Sequence, residues 1–175
     1  MKNLLDIPRT AMEVFEILPE GTACEVIDNT LYMSPSPTTS HQRLLLKIVL
    51  QIQDHLNNYL TGEVFISPCD VYLNDGNDVV QPDVFFIKKE HENIVQKKGI
   101  YGSPDIIIEI LSSNKVHDQQ RKMELYRLSA VPEYIIIDPD TKNIWSYILQ
   151  NDKYLERSTI PGKLLIEQLN LNIGF

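Results

Sequence analysis

Two carboxylates set among apolar residues, Asp83 in Pro82-Asp83-Val84-Phe85-Phe86 and Glu109 in Asp105-Ile106-Ile107-Ile108-Glu109-Ile110-Leu111, are the groups in this chain best suited to chemistry. A carboxylate inside an apolar strand costs stability unless it is paired, hydrogen-bonded or bound to a metal. Two such acids on neighbouring strands, with Lys122 nearby, suit metal-dependent hydrolysis of a phosphodiester. Asp83 follows a proline, which lacks a ladder donor, so it is expected where a strand begins or bulges. Period-two alternation puts Asp105, Ile107, Glu109 and Leu111 on one face and the three isoleucines Ile106, Ile108 and Ile110 on the other. Asp105 and Glu109 share a face but stand ~13 Å apart, too far for one ion. Glu109 therefore needs a partner on an adjacent strand, and Asp83 is the best candidate. Magnesium, or manganese in its place, suits this pair, because it takes one or two carboxylates and fills its remaining positions with water and phosphate oxygens.

Further candidates are less determined. Asp70 is expected in the strand antiparallel to that of Asp83, either extending the acidic site or exposed. Glu25, in the first hairpin, could approach the metal, and His41, near a helix start, could join the site, cap the helix or lie exposed. Each of the principal residues also has a plainer role. Asp83 could cap a strand, Tyr126 could be a core aromatic, and Lys122 could pair with Asp118 at helical spacing.

These groups need a scaffold. The sequence has 175 residues, 43% hydrophobic and 23% charged, which is the composition of one ordinary globular domain spanning 1–175. It shows no basic leader with an apolar run, and no apolar stretch near the ~20 residues that cross a bilayer, so a cytoplasmic protein is expected. Cys24 and Cys69 are too few for a disulfide framework or a cysteine-ligated zinc. The formal charge of −8 argues against a non-specific grip on nucleic acid.

Along the chain, Met12 to Leu18 reads as a short helix and Cys24–Ile27 with Thr30–Met33 as a hairpin turned at Asp28-Asn29. Leu44, Leu45, Ile48, Val49, Ile52 and Leu56 recur at helical spacing, predicting the main amphipathic helix from Thr38 or Thr39 to about Leu60. Val64 to Leu73 and Val79 to Ile87 read as a second hairpin around Asp75-Gly76, and Glu90 to Tyr101 as a polar loop or short helix. Asp105 to Leu111 is a buried strand, Val116 to Ala130 a helix with Met123, Tyr126 and Ala130 as its core stripe, and Glu133 to Ile137 another buried strand. Ile144 to Leu149 and Lys153 to Thr159 pair next, and Leu164 to Leu169 is a short amphipathic tail. The order predicts a mixed α/β sheet flanked by helices.

The landmarks Pro82-Asp83, Asp105 to Ser112, Asp118, Lys122, Tyr126 and Glu133 to Pro139, with Glu25 to Asn29 and Met33 to Pro37 before His41, resemble the Uma-two family of putative restriction endonucleases in the PD-(D/E)XK superfamily. The resemblance covers nearly the whole chain. It implies a restriction-endonuclease-like fold, a divalent metal site and hydrolysis of DNA. It also implies that Asp83 and Glu109 are the two acids and metal ligands. The superfamily pattern expects a lysine two residues beyond the second acid, where this chain has Leu111, and the resemblance moves that role to Lys122 on the following helix. Asn29 stands where the family usually has glycine, and Ile136 departs from a common tryptophan. By analogy with nucleases of this fold, a homodimer is expected. The alternative is a catalytically silent nuclease-fold module that binds nucleic acid or a protein partner, and a third reading is a structural protein whose polar triad only satisfies itself.

Overall fold

The structure is a computed structural model that describes residues 7–112 and 116–175, with the backbone alone for 116–119. The expected Ser112-Ser113-Asn114 cap falls partly outside the described residues, and Lys115 and the side chain of Asp118 fall wholly outside them.

Helix α1 (Ala11–Phe15) is shorter than expected. Strands β1 (Cys24–Ile27) and β2 (Thr30–Met33) form the first hairpin, with Asp28 and Asn29 both at positive φ, 50° and 54°, the conformation of a tight primed turn. Helix α2 (Thr39–Tyr59) starts at Thr38, whose side chain accepts the His41 N–H, and stops at Leu60 in the left-handed region. Its buried face carries Leu44, Leu45, Ile48, Ile52 and Leu56, and also His41.

The expected second hairpin divides in two. Strand β3 (Gly62–Ile66) ends before Pro68, β4 (Val71–Leu73) and β5 (Asp78–Val80) pair with each other, and β6 (Val84–Lys88) begins after Pro82 and returns antiparallel to β3. Pro68 and Pro82 cannot donate to a ladder, and they interrupt both arms of the ribbon at matching positions. The chain thus changes sheet twice, at Ser67–Asp70 and again at Gln81–Asp83. The segment expected as a loop forms a 3-10 turn at Lys89–Ile94 and two short strands, β7 (Val95–Gln96) and β8 (Gly99–Tyr101).

Strand β9 (Ile106–Ile110), helix α3 (Val116–Leu128) and strand β10 (Glu133–Ile137) make a parallel crossover. Strands β11 (Ile144–Gln150) and β12 (Lys153–Arg157) follow antiparallel, and the tail is a hairpin of β13 (Lys163–Ile166) and β14 (Leu171–Gly174). One six-stranded sheet has the order β2-β1-β5-β4-β8-β7 and the other β12-β11-β10-β9-β6-β3.

The second sheet is covered on both faces, which is why β6, β9 and β10 read as continuous apolar runs. On one face Leu44, Ile48 and Ile52 of α2 pack with Phe86, Ile108 and Ile135. On the other, Ile27, Val71 and Val80 of the first sheet and Tyr126 of α3 pack with Phe85 and Ile107. Ala130 does not join the α3 stripe. It lies beyond the helix end at φ 58° and is exposed, and Leu125 is buried beside Tyr126 instead. Among the described residues no helix is long and apolar enough to cross a membrane.

Candidate active site

Strand β6 runs antiparallel to β9 with Val84 opposite Ile108, so the register, continued by one residue, sets Asp83 opposite Glu109. One step further the Ile110 N–H would face Pro82; the Asp83 carboxylate takes it instead, Oδ2 accepting at 2.7 Å. His41 reaches the same oxygen from the first turn of α2, its Nε2 at 3.1 Å. Glu109, pointing toward α3 and the first sheet, accepts on Oε1 from Lys122 Nζ at 2.9 Å and from the Tyr126 hydroxyl at 2.7 Å. Among the described residues every hydrogen bond to these two acids falls on one oxygen of each. Both carboxylates line a cavity of about 510 Å³.

Lys122 is 5% exposed and rests between two acids, with Glu25 Oε1 at 2.8 Å on its other side. Glu25 comes from β1 in the first sheet, is 3% exposed, and also accepts the Gln81 N–H at 2.9 Å. Glu25, His41, Asp83, Glu109 and Lys122 thus meet at one cavity, drawn from both sheets and both long helices. Asp70 stands behind its wall and precedes β4 rather than pairing with the Asp83 strand. It accepts from Gln81 Nε2 at 2.8 Å. Gln81 is the site residue that sequence reasoning missed, because an uncharged side chain beside a proline carries no chemical signal. The rim segment Ser34–Thr38 was legible only as a break in regular structure.

Burial raises the Glu109 carboxyl above the ordinary carboxylate value; Lys122 pulls it down, and Asp83 and Glu25 push it up. Burial, then the charge of Glu109, holds the Tyr126 phenol far above its ordinary value, so it remains a donor. Among the described residues three carboxylates and one lysine line the cavity, and Oδ1 of Asp83 and Oε2 of Glu109 are left without protein donors. This donor set fits a divalent cation that charge balance favours. Among the described residues no three His, Cys, Asp or Glu side chains close on one point, so water and substrate would complete the shell, as is usual for magnesium.

Three other buried acids lie elsewhere among the described residues. Asp78 accepts from the Asp28 N–H at 2.9 Å and from Asn74 Nδ2 at 3.1 Å. Asp105 accepts from the Lys88 N–H at 2.8 Å and meets His91 Nδ1 at 3.0 Å. Glu133, fully buried at the head of β10, accepts from the N–H groups of Glu167 and Gln168, each at 2.8 Å. Burial pushes its carboxyl up to about 7.

No curated protein is significantly similar to the chain. A family model described as "Uma2: Putative restriction endonuclease" matches residues 12–175. Among solved structures, the 1.96 Å crystal structure of "a putative nuclease belonging to DUF820 from Anabaena variabilis ATCC 29413" is similar with a TM-score of 0.77, at 17% identity over 95% of each chain. That likeness establishes a shared fold.

Proposed function

The chain belongs to the Uma2 family, and we propose that it is a magnesium- or manganese-dependent endonuclease that hydrolyses DNA phosphodiester bonds. The observation that carries this reading is the register of β6 and β9, which brings Asp83 and Glu109 across from one another at a cavity they share with Lys122. In this reading Asp83 and Glu109 would hold the cation, since each keeps one carboxylate oxygen that accepts no hydrogen bond among the described residues. A bound divalent cation supplies Lewis-acid polarisation of the phosphate and a coordinated water of lowered pKa. Lys122 offers positive charge to the phosphate oxygens as negative charge builds up there. His41 and the Ile110 N–H hold the Asp83 carboxylate in one orientation.

The intact pair of acids and the lysine favour an active enzyme over a silent binding module. The reading extends to a single-domain cytoplasmic protein acting as a homodimer, since two copies can address both strands of a duplex. The decisive experiment is incubation of plasmid and oligonucleotide DNA with magnesium or manganese. Cleavage by the parent, lost in Asp83→Asn and Glu109→Gln, supports the assignment. A parent that binds DNA but cuts none under either cation supports the silent module.

A further inference from the structure

We infer that Glu25 is a positioning residue that keeps Lys122 in place when a divalent cation occupies the Asp83 and Glu109 carboxylates. This rests on the endonuclease reading above. Lys122 Nζ is shared almost equally, 2.8 Å from Glu25 and 2.9 Å from Glu109. The two acids are held by different elements. Glu109 is on the second sheet, faces Asp83 across the register, and is a cation ligand in the proposed site. Glu25 is on the first sheet and is anchored by the Gln81 N–H at 2.9 Å, and the Gln81 side chain is held in turn by Asp70 and by the Thr22 carbonyl at 3.2 Å.

A cation on Glu109 would draw on the same negative charge that holds the lysine there, and it would repel the ammonium directly. If Glu109 were the sole anchor, metal binding would expel the charge needed at the phosphate. Glu25 removes that conflict, because it attracts Lys122 independently of Glu109 and its position is set by a different sheet. The lysine bridges the two sheets, and its placement on α3 is completed by β1.

The test uses the full-length protein labelled with 15N-lysine, with the Lys122 ammonium resonance assigned by its loss in Lys122→Met. In the parent the resonance is expected to persist at saturating magnesium; in Glu25→Gln, which keeps an acceptor for the Gln81 N–H, it should be lost on saturation. In parallel, Glu25→Gln should lower kcat for DNA cleavage ~10-fold or more with KM within about twofold, and should add nothing in a Lys122→Met background. Loss of the parent resonance on magnesium binding overturns the inference even if Glu25→Gln does not fold. A parent-like kcat in Glu25→Gln, or effects of the two substitutions that simply multiply, overturns it as well. A parent that neither binds magnesium nor cuts DNA overturns the endonuclease reading itself, a result distinct from a cutting parent that loses the Lys122 resonance.

Discussion

Tyr126 donates its hydroxyl hydrogen to Oε1 of Glu109 at 2.7 Å, the same oxygen that Lys122 approaches at 2.9 Å. Crowding two donors onto one oxygen sets the plane of the carboxylate. A buried tyrosine that packs edge-on against Tyr134, ring centroids 5.0 Å apart, is a rigid support for that orientation.

Tyr126→Phe should therefore fold with a loss of about 1 kcal/mol, the typical net value of one hydrogen bond, and bind manganese several-fold more weakly because Glu109 gains rotational freedom. Urea unfolding and calorimetric titration measure the two effects. Parent-like manganese affinity in the variant would show that Tyr126 is only a core aromatic.

Lys122→Met should retain the fold and magnesium binding yet cut DNA ~10²-fold or more slowly, as expected on removal of a focused electrostatic group. Lys153→Met, at an exposed position on β12, is the control and should cut like the parent. Initial rates on a single labelled duplex distinguish them, and equal rates for all three proteins would refute the lysine assignment.

Stability should fall with rising pH between about 4.5 and 7. Glu133 has a carboxyl value of 4.5 when free and about 7 when folded, so across that window the native state holds a proton that the unfolded chain has released. Unfolding then releases that proton and becomes easier as pH rises, by about 3 kcal/mol at full effect. Glu109 is shifted in the same direction. Urea midpoints at pH 5 and 8 should differ less in Glu133→Gln than in the parent; identical differences would show that Glu133 does not titrate in this range.

Ile135→Ala, at the centre of β10 and fully buried, should cost ~2–5 kcal/mol, whereas Ile135→Val should cost ~0.5–1.5. Both follow from the second sheet being covered on each face. Equilibrium denaturation tests it, and a cost under 1 kcal/mol for the alanine variant would mean that the site collapses around the lost side chain.

The homodimer is testable by sedimentation at micromolar concentration with and without magnesium. A monomer under both conditions would remove it and would require sequential attack on the two strands.

Local pattern decided the elements whose signals are periodic. The apolar spacing of α2, the isoleucine run of β9 and the apolar residues of β10 were legible because burial demands them at 3.6 or 2 residues per repeat, or continuously where both faces are covered. The same alternation showed that Glu109 shares a face with Ile107 and that Asp105 lies too far away to assist it. Tertiary structure decided what pattern does not encode. Pro68 and Pro82 were visible as residues, but only the pairing shows that they break opposite arms of one ribbon and send its outer half to a second sheet. Glu25 reaches Lys122 because β1 belongs to that other sheet, a contact that spans 97 residues of chain, and Gln81, just beyond β5, holds Glu25 from behind. Periodicity reports which face of an element is apolar, a property of neighbours in sequence. Which oxygen of Glu109 is occupied, and which acid anchors the lysine, depends on how separate elements are stacked, and that is settled only when both faces of the second sheet are buried.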